Sequence, residues 1–294
     1  MRLGITGNTT KDSLWDPLSG LLSFLEDSDC DYILHPAVFE GLRERNMLSA
    51  SGARANSVSD FHQESDIIVS MGGDGTLLNT VARLGEHQKP VLGVNYGRLG
   101  FLASVEGSDI RDYIENLKKG DFSLDERLVL HASLASGQKL SHPWAMNEFT
   151  IQRSGDASLL SIEVEVDGAH LNTYWADGLV ISTPTGSTAY SMALGGPIMT
   201  PQCGSILITP IAPHTLTVRP VVISEDSTIR VKILDSDKSH IFTADGVNKK
   251  DVLTSDSVTV QKAGHVVNLV RFPGQDYFST LRSKLMWGAS KTFQ

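Results

Sequence analysis

The residues of this chain best placed to do chemistry are Gly72-Gly73-Asp74-Gly75-Thr76, directly after the apolar run Ile67-Ile68-Val69-Ser70-Met71. Three glycines within four residues let backbone N–H groups come close to a phosphate, and the start of a helix adds partial positive charge. Leu77-Leu78-Asn79-Thr80-Val81-Ala82-Arg83-Leu84 follows with helical apolar spacing. The turn therefore sits at the carboxyl end of a strand, where open α/β sheets bind ligands. Asp74 is the odd member. A carboxylate there repels phosphate unless it holds Mg²⁺ or accepts a proton from an attacking hydroxyl, and that combination points to phosphoryl transfer. The plainer alternative is a tight turn closed by a helix-capping Asp. A Gly-flanked turn residue carries little packing, so on the chemical reading Asp74→Asn is expected to leave folding nearly unchanged, whereas loss of folding would support the capping alternative.

A second polar, Gly-containing turn runs from Asp177-Gly178 to Ser191, with Thr183-Pro184-Thr185-Gly186-Ser187-Thr188-Ala189-Tyr190-Ser191 following the strand-like Leu179-Val180-Ile181-Ser182. Its hydroxyl and N–H groups suit phosphate or ribose hydroxyls. Tyr190 offers a flat face and a hydroxyl to a base or amide. Pro184 and Gly186 suit an ordinary turn equally well. Asn147-Glu148, before a strand starting at Phe149, sets an amide beside a carboxylate, which suits ribose hydroxyls. Taken alone, it reads as an exposed polar pair at a strand edge. Two such turns in two domains point to a ligand cleft between the domains.

These turns need elements to hold them. Strand signals at Arg2–Ile5, Asp31–Leu34, Ile67–Met71 and Pro90–Val94 alternate with helical patterns at Leu14–Leu25, after Thr76, and at Ile110–Lys118. That rhythm predicts a parallel sheet with helices on both faces, an α/β domain over residues 1–122. After Phe122 the pattern becomes strands: Arg127–Leu134, Phe149–Gln152, Ser161–Val166, Gly178–Ser182, Ser205–Thr209 and Thr228–Ile233, with a hairpin signal at Asp167-Gly168. Residues 123–270 are expected to form a β-rich domain. Tyr277–Trp287 returns to helical spacing within a tail over 271–294.

Composition narrows the class. The 294 residues suffice for two domains, and 40% hydrophobic with 20% charged residues is ordinary for a globular protein. A net charge of −9 argues against a nucleic-acid surface. Cys30 and Cys203 form no metal-spaced pair and no disulfide framework, which fits a reducing cytosol. There is no signal-peptide stretch and no run long enough for a membrane span. No G-x-x-x-x-G-K-S/T loop occurs, which argues against a P-loop nucleotidase.

With these residues in view the chain resembles the NAD kinase family, in the bacterial form of about this length. The resemblance rests on Gly72 to Thr76, Gly93-Val94-Asn95-Tyr96-Gly97-Arg98-Leu99-Gly100-Phe101-Leu102, Met146-Asn147-Glu148, the Asp177 to Ser191 stretch, Gly195-Gly196-Pro197-Ile198, and Pro213-His214-Thr215-Leu216 with Arg219-Pro220, in that order. It implies a GGDGT-kinase α/β domain, a β-rich NAD-binding domain and a tail that packs back on the first. It also implies transfer of the γ-phosphoryl of ATP to the 2′-hydroxyl of the adenosine ribose of NAD⁺. On that basis Asp74 is the proton acceptor, Gly75 lines the substrate and Phe101 lies near the adenine. Asn147, Glu148, Asp177, Thr188, Ala189, Tyr190, Ser191, Met192 and Ala193 surround the dinucleotide, and Gly72, Gly73 and Thr76 hold the donor phosphates. The resemblance further implies a divalent metal such as Mg²⁺, a homo-oligomer (dimer or tetramer), and a cytoplasmic protein without nucleic-acid or membrane partners.

The chain departs from the family pattern at Ser158, Trp175 and Val247, where members often carry His, a basic residue and Gln; the resemblance still implies that these three positions are NAD-binding, with altered contacts. Trp175 either stacks where a basic side chain would pair with charge or belongs to the core, and its presence leaves inorganic polyphosphate open as a donor. A lipid kinase of the diacylglycerol or sphingosine class, a 6-phosphofructokinase and a non-catalytic dinucleotide-binding regulator are the alternatives. The Thr183 to Ser191 and Pro213 to Leu216 stretches, and the intact Asp74, weigh against them.

Overall fold

Short runs rich in Ile, Val and Leu form the sheet of the first unit: β1 (Leu3–Gly7), β2 (Tyr32–Leu34), β3 (Ile67–Met71), β4 (Val91–Asn95) and the short β5 (Val105–Glu106). The computed structural model describes residues 1–48, 54–96, 100–103, 105–154, 159–235, 239–246, 251–253 and 256–287. Contacts group Met1–Glu126 with Val267–Gln294 as one unit and Arg127–Val266 as the other.

In the first unit the strands lie in the order β2-β1-β3-β4, all parallel, with β5 parallel to β4. Every residue of β3 and β4 is buried, the pattern of a sheet covered on both faces. Its helices are α1 (Trp15–Asp27), α2 (Pro36–Glu44), α3 (Val58–Glu64), α4 (Asp74–Leu84) and α5 (Ile110–Lys119). On α1, Trp15, Leu18, Leu21, Leu22 and Leu25 are buried, a single apolar stripe. Chain order reverses between β1 and β3, so the carboxyl ends of these strands form the switch point where such sheets leave a crevice. The helices α2 and α3 were not anticipated. They are short, yet each carries a start signal: Pro36 with His35 as the capping acceptor, and Ser57 accepting from the Asp60 N–H at 3.1 Å.

The second unit takes its strands from β6 (Ser123–Leu134), β7 (Trp144–Ala145), β8 (Glu148–Arg153), β9 (Leu160–Val166), β10 (Ala169–Ala176), β11 (Gly178–Ser182), β12 (Ser205–Ile211), β13 (Val221–Ser224), β14 (Ile229–Ile233), β15 (His240–Ala244), β16 (Asp251–Leu253) and β17 (Ser257–Arg271). A one-turn α6 (Tyr190–Ala193) follows β11. One antiparallel sheet has the order β13-β12-β11-β8-β15-β16, and β10-β9-β14-β17 runs antiparallel in the other. Strand alternation builds their shared core: Ile229, Val231 and Ile233 point in while Arg230 and Lys232 point out. Phe149, Ile151, Leu179, Ile181, Ile206 and Phe242 join them from the first of these sheets. Asp167 and Gly168 take φ of 52° and 81° between β9 and β10, the two left-handed positions of a tight hairpin turn. The long β17 went unread because Gln261-Lys262 and Gly264-His265 interrupt its apolar alternation. Past β17, α7 (Tyr277–Leu285) buries Leu281.

The fold is thus an α/β unit with a parallel sheet and a β-rich unit, as the sequence leads one to expect. The core residue that anchors the start of β8 is Phe149, fully buried and stacked on Phe242 with ring centroids 5.1 Å apart. Phe149→Ala is expected to destabilise the protein by about 3–5 kcal/mol, measured as a lower midpoint of urea unfolding. A midpoint within error of the wild type would show that this stack does not hold the strand.

Candidate active site

Gly72 to Thr76 join β3 to α4 at the carboxyl end of the parallel sheet. Gly72 has φ 147°, and a Cβ there would collide with the Thr76 side chain, so the turn requires glycine. Gly73 caps α4 in extended conformation without any side-chain hydrogen bond; in the same turn the Thr76 N–H donates to the Gly73 carbonyl at 2.9 Å and the Gly72 N–H to the Val94 carbonyl at 2.8 Å. A Cβ on Gly73 or Gly75 would meet open space. A cavity of about 270 Å³ opens beside the turn, lined by residues that include Asn8, Lys11, Ser13, Gly73, Thr76 and Asn95, and by no acidic side chain among the described residues. Hydroxyls, amides and a lysine are the chemistry of a phosphate site.

Asp74 does not cap the helix; it is the first helical residue. Its Oδ2 accepts the Phe101 N–H at 2.7 Å, and its Oδ1 accepts those of Leu102 and Ala103 at 3.1 and 3.0 Å. A Cβ on Gly100 would overlap this carboxylate. A carboxylate offers about four acceptor positions, so one on Oδ2 remains for a substrate hydroxyl. The carboxylate thus also ties down residues 101–103, so Asp74→Asn is expected to loosen that segment, against the expectation of unchanged folding. Phe101 is half-buried and tied to Asp74 through its backbone.

In the second unit Asn147 and Glu148 are 8% and 7% exposed, and β8 is flanked by both β11 and β15. They are not a polar pair at a strand edge. Alternation turns Phe149 and Ile151 into the core and Glu148 and Thr150 to the opposite face, where Thr150 bonds Thr243. Asn147 Oδ1 and Glu148 Oε2 are buried with no hydrogen-bond partner among the described residues. Burial, together with the Asp245 charge, pushes the Glu148 carboxyl up to about 8 against a hydrogen bond from the Tyr190 N–H. Asp245 accepts the N–H groups of Met146, Asn147 and Glu148 at 2.8, 2.7 and 3.0 Å. Desolvation raises its pKa while these three bonds oppose the rise.

The remaining candidates divide. Asp177, half-buried, pairs with Arg153 at 3.0 Å. Thr188 bonds the Thr185 carbonyl at 3.3 Å, and the Tyr190 hydroxyl lies 3.5 Å from Gln152 Nε2. Met192 is half-buried, and Ala193 is exposed. Ser191 is fully buried against Thr209, with hydroxyls 3.1 Å apart, and serves packing. Trp175 is 60% exposed on β10, so it is no core residue. Ser158 and Val247 lie outside the described residues. The structure thus joins Asp74 to Phe101 in one unit and Asn147, Glu148 and Tyr190 in the other. Sequence reasoning missed Asp245 and Lys11; the backbone partners of Asp245 lie 97 to 99 residues away in the chain.

Residues 3–122 match the family model for the ATP-NAD kinase N-terminal domain and residues 146–272 that for the ATP-NAD kinase C-terminal domain. The NAD kinase of Flavobacterium psychrophilum is 34% identical, with 99% of each chain covered. That of Bacteroides fragilis is 35% identical, covering 98% of this chain and 99% of its own. Yeast NADH kinase, solved in complex with NADH, superposes with a TM-score of 0.88 at 26% identity, over 100% of this chain and 90% of that one. An NAD kinase from Archaeoglobus fulgidus, solved with ATP, shares the fold at TM-score 0.74 and 22% identity, over 97% and 99% of the two chains. Fold and glycine turn together define a two-unit kinase of the Gly-Gly-Asp-Gly type. The chain belongs to the NAD kinase family.

Glu148 ties stability to pH. The folded chain holds this proton to about pH 8, against 4.5 for an ordinary glutamate, so between these values it binds more protons than the unfolded chain and loses stability as pH rises. Relative to wild type, Glu148→Gln is expected to gain stability progressively across that window and to show no further change below it. Urea midpoints at pH 4, 6 and 8.5 check this; a wild-type-to-variant difference independent of pH would refute it.

Proposed function

We propose that the chain transfers the γ-phosphoryl of ATP to the 2′-hydroxyl of the adenosine ribose of NAD⁺, giving NADP⁺ and ADP. The observation that carries this reading is the match of both halves of the chain to the two ATP-NAD kinase domains. The geometry supports it. Gly72, Gly73 and Thr76, which line the cavity with Lys11, would hold the donor phosphates through the close approach the glycines allow, the Thr76 hydroxyl and the Lys11 charge. Asp74 would accept or orient the ribose hydroxyl proton through the open position on Oδ2, with Gly75 alongside and Phe101 near the adenine. Asn147 and Glu148 would take hydroxyls of the dinucleotide on their unpaired oxygens, with Asp177, Thr188, Ala189, Tyr190, Ser191, Met192 and Ala193 around it; Ser191 would act through packing. Ser158, Trp175 and Val247 would be further NAD-binding positions.

No group of three or more His, Cys, Asp or Glu side chains gathers for a metal among the described residues. The proposed Mg²⁺ would arrive on the donor phosphates, where it neutralises developing charge. Inorganic polyphosphate stays open as a donor beside ATP. No helix among the described residues is long and apolar enough to cross a membrane. A cytoplasmic location and a dimeric or tetrameric state belong to the same proposal.

A coupled assay with NAD⁺, Mg²⁺ and either ATP or polyphosphate is expected to yield NADP⁺. No product from folded protein with several divalent metals, or faster phosphorylation of diacylglycerol, would overturn the reading. Asp74→Asn is expected to lower kcat by about 10²–10⁴-fold, the usual contribution of a general base. Hydrogen exchange at residues 101–103 separates loss of chemistry from release of that segment. Near-wild-type turnover in Asp74→Asn would remove the role.

A further inference from the structure

Asn147 and Glu148 combine two opposite conditions. Each side chain keeps a buried oxygen without a donor, a costly state that a free backbone would relieve by rotating. The backbone of the same segment is fully bonded. The N–H groups of Met146, Asn147 and Glu148 all donate to the Asp245 carboxylate, at 2.8, 2.7 and 3.0 Å. The Met146 carbonyl accepts the Thr183 hydroxyl at 2.6 Å, the Asn147 carbonyl the Thr183 N–H at 2.8 Å, and the Glu148 carbonyl the Asp245 N–H at 2.9 Å. Gly186 packs so closely that a Cβ would collide with the Asn147 carbonyl. The segment is clamped from both sides, with Asp245 supplying every acceptor on the N–H side.

We propose that Asp245 is the positioning residue of the acceptor site, holding Met146 to Glu148 so that Asn147 Oδ1 and Glu148 Oε2 stay open to hydroxyl donors of the dinucleotide's ribose. The proposal rests on the NAD kinase reading above and deepens it. Asp245 reaches the segment because β15 pairs with β8, setting Ala244 opposite Phe149. The turn that follows uses φ of 49° and 62° at Asp245 and Gly246, which aspartate and glycine tolerate. A single amide cannot replace the carboxylate: asparagine offers one acceptor oxygen, and its NH₂ group would face an N–H group. Glu148 has Asp245 as its charged neighbour, the Tyr190 N–H as a donor, and neutral Ser182 opposite it on β11.

The test uses the full chain carrying Asp245→Asn. Hydrogen exchange at residues 146–148 is expected to accelerate. The KM for NAD⁺ is expected to rise about tenfold or more, with the KM for ATP within about twofold of wild type, the pattern of lost acceptor binding. With the neighbouring charge gone, the pH dependence of the NAD⁺ KM that Glu148 produces is expected to move to lower pH, which mere loss of stability would not do. Accelerated exchange with unchanged KM and pH dependence would overturn the positioning role, and unchanged exchange would overturn the clamp. Should Asp245→Asn not fold, Asp245→Ser is scored by the same criteria. A wild-type protein that makes no NADP⁺ overturns the functional reading instead, whereas an active wild type with kinetically indistinguishable variants overturns this inference alone.

Discussion

A carboxylate that gathers three consecutive backbone N–H groups is the interaction on which both units depend. Asp74 takes those of Phe101, Leu102 and Ala103; Asp245 takes those of Met146, Asn147 and Glu148. An irregular segment beside a sheet has N–H groups that neither the ladder nor water satisfies, and each must find an acceptor. A short aspartate on a rigid element meets three at once, because its two oxygens offer about four acceptor positions. Such bonds are charge-assisted and stronger than those between neutral groups. The surrounding glycines follow from this demand. Gly100 exists because any side chain would occupy the place of the Asp74 carboxylate. Gly246 exists because the chain must turn sharply, at φ 62°, just after Asp245.

The two clamps leave different things open. In the first unit the carboxylate itself retains an acceptor position, so a residue that organises a loop remains able to take a hydroxyl proton. In the second the carboxylate takes three N–H groups in the same pattern, and what stands open to a ligand is one buried oxygen on each of two clamped side chains, Asn147 Oδ1 and Glu148 Oε2. That division matches the roles proposed for the units, one chemical and one for binding. It also makes structure and function hard to separate at Asp74, since its substitution affects both the loop and the reacting hydroxyl.

What the sequence made legible was local. The β3–α4 turn was readable because a β-branched run, glycines and a helical apolar stripe follow one another without interruption. The β9–β10 hairpin was readable because Asp167-Gly168 suits two left-handed positions. The helix start was placed three residues late, after Thr76, because Asp74 reads as part of the turn, whereas Gly73 is the cap, Asp74 begins the helix and its carboxylate turns to residues 27 to 29 positions away. No spacing rule reveals such a partner. The burial of Asn147 and Glu148 was hidden for a related reason: whether a polar pair lies at an edge depends on which strands flank β8, and both β11 and β15 come from far along the chain. The family resemblance pointed to Asn147 and Glu148 without showing that their backbone is fixed by an aspartate almost a hundred residues later.

The acidic balance of the chain, −9, would oppose two polyanionic substrates if charge acted on average. It acts locally. The cavity beside Gly73 presents Lys11, hydroxyls and amides and no acidic side chain among the described residues. Asp74, the nearby exception, has its charge drawn toward three N–H dipoles. Glu148 is raised to about 8 by burial and by Asp245, so at neutral pH it is mostly a neutral acid. A neutral carboxyl does not repel the pyrophosphate of a dinucleotide, and it can donate one hydrogen bond to a ribose oxygen while accepting another from a ribose hydroxyl. The same burial that leaves Glu148 Oε2 without a partner therefore removes the charge that would keep an anionic ligand away.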